Sequence, residues 1–138
     1  MLIWLRRGGF LVIESPASDA ALSNLASRLL PERAAEGAAF LPLPPDHELM
    51  RSFYLLDALP QCNGQIWRGL AYDGRLAILV IPYGLLDTLK DRGSVAACPN
   101  PPDYERSVRI FVNLVMVALA TDYKKDQIHL PEILKRLR

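Results

Sequence analysis

The chain has 138 residues, 51% of them hydrophobic and 22% charged, with a net charge of +1. That is enough apolar content for one domain with one core, and too much for a disordered tail. Lys and Arg are scattered among balancing acids, which excludes a dedicated nucleic-acid surface. The longest apolar run, Ile110 to Ala120, is 11 residues and contains Asn113, short of the roughly 20 that a membrane span needs.

Met1 to Arg7 reads as the last turns of a helix. Leu2, Leu5 and Trp4 would face a core, Arg6-Arg7 suit the negative end of the dipole, and Gly8-Gly9 provide a left-handed stop. No capping residue precedes this helix, so the chain is expected to start inside a domain whose first elements lie upstream or are missing. The opening order, apolar and then basic, is the reverse of a secretory leader. Phe10 to Glu14 is a continuous apolar run closing on an acid, which suits a strand buried on both faces. Ser18 or Asp19 would cap the next helix, whose Leu22, Leu25, Ala26 and Leu29 form one stripe, with Pro31 ending it. Helix, glycines, strand and helix in that order are the grammar of a parallel α/β sheet.

Ala39 to Leu43 reads as a short strand stopped by Pro44-Pro45, and Asp46 as the cap of a short helix or turn through Arg51. The clearest local signal is QIWRGLAYDGRLAILVIPY, residues 65–83. Two β-rich runs flank Asp73-Gly74, the favoured pair for a two-residue type I′ hairpin. The wholly apolar second run, Leu76 to Ile81, belongs in the centre of a sheet, and the first run nearer an edge. Tyr83 to Leu89 reads as a short helical piece and Asp91 to Pro102 as a surface loop. Asp103 would cap a long helix from Tyr104 to about Thr121, apolar almost all round from Val108 onward. A polar turn through Tyr123, Lys124, Asp126 and Gln127 would then lead to a short amphipathic C-terminal helix.

The chemistry-bearing residues are few. Glu14 and Ser15 stand at the carboxyl end of the first strand, where open α/β sheets place their ligands. Asp46 and His47 share a turn, but sequence neighbours on a helix do not face one another; the plain reading is a capping acid beside a locally bonded histidine. Arg75 follows the hairpin glycine, where a cation is normally solvated. Asn113 is the one uncharged polar residue of the helix's apolar stretch from Val108 to Ala120 and must find partners, tying that helix to a loop or to the sheet. Asp126 and His129 read as structural. Ser15, Cys62 and Cys98 are the possible nucleophiles, but none sits on a glycine-flanked strand-to-helix elbow near a histidine. His47, His129 and an acid have no metal-ligand spacing, and no phosphate loop or other cofactor motif is present. The two cysteines lie in no CxxC spacing. Free thiols are the plain reading, and a bridge between them requires an oxidising compartment.

Several stretches together resemble a known bacterial family: LRRGGFLVIE, PPDHELMRSFYLL, YDGRLAILVIPY, the Asn113-centred helix and TDYKKDQIHLPEIL, in that order. The resemblance is to the C-terminal half of a domain of unknown function. Its fold looks like the class I glutamine-amidotransferase, or flavodoxin-like, three-layer fold. The family domain often forms the soluble C-terminal part of membrane-anchored proteins related to the BatA aerotolerance family. The resemblance covers nearly the whole chain and also implies missing first elements. It gives the DGR of Arg75 interest as a family pattern but carries over no catalytic residue.

The expectation is thus one α/β domain over residues 1–138, three-layered, with a mostly parallel central sheet and one edge hairpin. It is expected to be a non-catalytic interaction module in a membrane-associated assembly, soluble as written, using no cofactor or metal. It would meet a protein partner, or a second copy of itself, through an apolar face. The rivals are a degenerate amidotransferase-like hydrolase and a small-ligand sensor built around Glu14, Ser15, Asp46, His47 and Arg75.

Overall fold

A computed structural model describes residues 2–90 and 104–136, with side chains at 3–90, 104–120 and 135. The elements follow in the order α1 (Leu2–Arg6), β1 (Leu11–Glu14), α2 (Asp19–Leu29), α3 (Pro31–Ala35), β2 (Leu41–Pro42), a single 3-10 turn (Glu48–Met50), β3 (Arg68–Tyr72), β4 (Arg75–Ile81), α4 (Leu85–Lys90) and α5 (Tyr104–Arg136). The four strands form one open sheet in the order β1-β4-β3-β2.

β4 is the hub, as its unbroken apolar sequence requires. It pairs in parallel with β1, from Leu11 opposite Ile78 to Glu14 opposite Ile81. It pairs antiparallel with β3 through the Asp73-Gly74 turn. Both turn residues have positive φ, 50° and 71°, which a type I′ turn demands. A bulge between Leu70 and Ala71 leaves Ala77 unmatched. Ala77, Ile78 and Val80 therefore enter one core, and Leu76, Leu79 and Ile81 the other.

The first core lies under α4, α5 and the 3-10 turn and holds Leu49, Trp67, Leu85, Ile110 and Leu114; the second lies under α1 and α2 and holds Leu5, Leu22, Ala26 and Leu30. Helices thus cover both faces of the sheet. Each fully buried aliphatic contributes about 1.5–3 kcal/mol, so the twin cores are the main source of stability.

Three expectations about the fold are corrected. The sheet is mixed: of its three neighbouring strand pairs only β1/β4 is parallel. The hairpin is not at an edge, because β2 pairs with β3 through Leu41 opposite Gly69 and Pro42 opposite Arg68. The C-terminal region is one helix, α5, running through the residues expected to form a polar turn; Asp126 and His129 lie in it, and their side chains are outside the described residues. The loop Asp91 to Pro102, Cys98 and the expected cap Asp103 are also outside them. Pro31 does not merely stop α2 but opens α3 from its first position, where its missing N–H costs nothing.

Ser18, not Asp19, caps α2, its hydroxyl accepting from Ala21 N–H at 3.3 Å. Ser18→Ala is expected to cost about 1 kcal/mol, read as a lowered urea midpoint with an unchanged slope.

Candidate functional site

Arg75 begins β4 directly after the hairpin turn, and its side chain reaches the end of α1. Nη1 donates to Gly9 O at 2.8 Å and Nη2 to Leu5 O. The last carbonyls of a helix have no partners within it; the planar guanidinium serves one of them, Leu5 O, together with Gly9 O in the turn that follows. Arg75 is therefore a clasp on α1, not the solvated cation its position suggests. The neighbouring glycines fit that geometry. Gly8 has φ +103°, and a Cβ on Gly9 would collide with the Trp4 ring. Leu5 is buried, as expected, whereas Trp4 is half-exposed over that glycine.

Asn113 is fully buried in α5. Its Oδ1 accepts from Phe53 N–H at 3.2 Å and Tyr54 N–H at 2.7 Å. Its Nδ2 donates to Leu49 O and Tyr54 O, both at 2.8 Å. Every bond the amide can make is made, one to the 3-10 turn itself at Leu49 and three to Phe53 and Tyr54 after it. Ser52 Oγ adds a bond to the Asn113 main-chain carbonyl at 2.9 Å.

His47, rather than Asp46, caps the 3-10 turn: its Nδ1 accepts from Leu49 N–H at 3.1 Å. A ring nitrogen that accepts leaves the proton on Nε2. Asp46 is exposed. His47 and Arg75 both line a cleft of about 390 Å3 beside β2 and β3. Its floor is narrow in side chains because Gly69 gives room to Leu43 and Leu76.

Glu14 sits elsewhere. Its Oε1 accepts from Leu86 N–H at 3.0 Å, which caps the first turn of α4. The carboxylate forms the polar rim of an otherwise apolar cleft of about 350 Å3, lined by Val12, Ile81, Leu85, Leu86, Phe111 and Leu114. Ser15 is half-buried, and its N–H donates to Ile81 O at 2.9 Å. The five candidate ligand residues thus divide: His47 and Arg75 share one cleft, Glu14 lines another, and Asp46 and Ser15 line neither.

Two features escape a sequence reading. The Pro60 carbonyl accepts from both Trp67 Nε1, at 2.8 Å, and Tyr83 Oη, at 3.2 Å. Burial first, and then the charge of Glu14, hold the Tyr83 phenol above its usual pKa, so it remains a donor. In the same loop Cys62 is buried and disulfide-bonded, not a free thiol. The other feature is that Phe111 of α5 and Val12 of β1 line the same cleft as Glu14.

Ser15 follows β1 and His47 follows β2, with two strands between, so this pair does not form a nucleophile and base. The disulfide removes Cys62 as a thiolate. Among the described residues, no group of three His, Cys, Asp or Glu is placed to hold a metal ion, and no helix is long and apolar enough to cross a membrane.

The class this defines is a mixed α/β domain with helices on both faces of an open four-stranded sheet. The chain belongs to the family described as Domain of unknown function (DUF4159), whose model matches residues 2–119. A search of the curated proteins found no match.

Proposed function

We propose that the domain is a non-catalytic interaction module that completes its sheet with a further strand laid beside β1. The observation that carries this is the position of β1. The apolar run Leu11-Val12-Ile13 forms an edge strand, and among the described residues only β4 pairs with it. Backbone groups of a strand point alternately to its two sides. Ser15 N–H bonds to Ile81 O, so Leu11 and Ile13 also address β4, and Val12 and Glu14 present N–H and C=O outward. Exposed edge groups of this kind are a template for strand addition. An added strand would place alternate side chains in the Val12–Phe111 cleft and the others over Leu11 and Ile13.

The flavodoxin- or amidotransferase-like assignment belongs to the same proposal. Helices on both faces and the parallel β1/β4 pair support it, and the antiparallel β2 and β3 are its departure. The resemblance to domains of membrane-anchored proteins supports work in a membrane-associated assembly. The disulfide at Cys62 supports an oxidising compartment.

A second reading, a small-ligand sensor, is favoured by one observation: the apolar cleft with a single carboxylate rim lies at the carboxyl ends of parallel strands. The hydrolase reading gains none.

Amide hydrogen exchange on the isolated chain, run beside light scattering at each concentration, tests the edge. At single-chain mass, Val12 and Glu14 amides should exchange quickly while Ile13 and Ser15 are protected. Protection of all four at single-chain mass would mean the edge is already covered, and the reading would fail.

A further inference from the structure

The segment after the 3-10 turn inverts the usual relation between order and burial. Phe53, Tyr54 and Leu55 are 62%, 37% and 85% exposed, three large apolar or aromatic side chains in succession. A loop with such side chains would ordinarily be free to collapse onto the nearest apolar surface. Here the backbone is fixed. The four Asn113 amide bonds hold residues 49, 53 and 54, and Leu56 N–H closes the loop on Met50 O at 2.8 Å. The rings are also set: Phe53 meets Tyr54 edge-on at 4.9 Å, and the Arg109 guanidinium lies over the Tyr54 ring at 5.6 Å.

Charge supplies the second observation. Arg106 and Arg109 are neutralised by Asp57 and Glu105. Arg51, two residues before Phe53, is exposed and has no carboxylate partner among the described residues. Among the described residues the loop is thus an apolar knob with one cation, Arg51, at its base that no carboxylate pairs. Exposed aromatics with arginine, held in place before binding, have the composition and rigidity of interface hot spots.

We infer that the Phe53–Leu55 loop is a preformed docking knob for a partner protein with an apolar pocket and an acidic rim. Phe53 and Leu55 enter the pocket, Tyr54 packs at its lip, and Arg51 meets the rim. This surface is separate from the β1 edge and does not depend on it.

A library of randomised immunoglobulin-type domains selected on the folded chain tests the proposal without a known partner. Most independent binders should converge on the loop. They should lose at least tenfold in affinity against Phe53→Ser/Leu55→Ser, and carry acidic residues whose contribution falls with Arg51→Glu. The urea midpoint of the double variant should match the parent, because both side chains are already exposed. Binders spread over the surface and indifferent to the double variant would overturn the proposal. So would scattered binders together with co-sedimentation on phosphatidylglycerol vesicles that requires Phe53 and Leu55, which would assign the loop to a lipid surface.

Discussion

Replacing Asn113 with leucine is expected to destabilise the domain by about 3–5 kcal/mol. Leucine matches the volume but leaves the Phe53 and Tyr54 N–H groups and the Leu49 and Tyr54 carbonyls without partners. Each unsatisfied buried group costs about 1–3 kcal/mol; the loop's exposed side lets water recover part of the sum. Urea unfolding measures the loss, and an unchanged midpoint would show the amide to be dispensable. Asn113→Asp isolates the donor half of the site. Its carboxylate would face two carbonyls in a buried position, which raises its folded pKa above the unfolded value of about 3.9. Between those two values the native state binds more protons than the unfolded state, so stability falls as pH rises through that window. The deficit against the parent should be smallest in acid and level off above the raised pKa.

Arg75→Met is expected to cost about 2–3 kcal/mol, the scale of charge-assisted hydrogen bonds lost from a partly buried site. The five-residue α1 has little intrinsic stability, and without the clasp it keeps the buried Leu5, the Trp4 ring over Gly9 and an exposed ion pair from Arg6 to Glu32. A lowered urea midpoint should therefore come with a change in Trp4 fluorescence, since that ring lies over Gly9 beside the bonded carbonyl. Arg75→Lys should recover less than half, because an ammonium cannot span two carbonyls as the planar fork does. Equal midpoints for Arg75→Met and the parent would refute the clasp.

These two residues also show what was legible in the sequence. Asn113 could be recognised as a buried amide needing partners, because one polar residue in an apolar helix has few alternatives. Its partners lie about 60 positions away, and nothing local names them. Arg75 was visible only as a cation after a turn; its bonds run back to Leu5 and Gly9, a relation set by tertiary packing. The hairpin was read correctly because Asp73-Gly74 fixes its own backbone. The parallel character was over-read. An apolar strand buried on both faces looks the same with parallel or antiparallel neighbours, and β3 reached the core by a hairpin, not by a crossover helix. His47 displaced Asp46 as the cap because ring nitrogens accept as carboxylates do, a competition that residue preference alone does not resolve. For the candidate ligand residues, the sequence named the amino acids but not which of them share a cleft.

The two edges of the sheet are unlike. β2 is two residues long and contains Pro42, with Pro44 and Pro45 following, and proline presents no N–H to a newcomer. β1 has no such guard. A sheet that can accept a neighbour on one side only cannot propagate, because a filament needs both a donor edge and a receiving edge on every copy. The strand addition proposed at β1 would therefore end after one step, as a closed pair or a one-to-one complex. On that proposal the prolines would limit stoichiometry and protect against fibrous growth from a sheet that, among the described residues, is open at its other side.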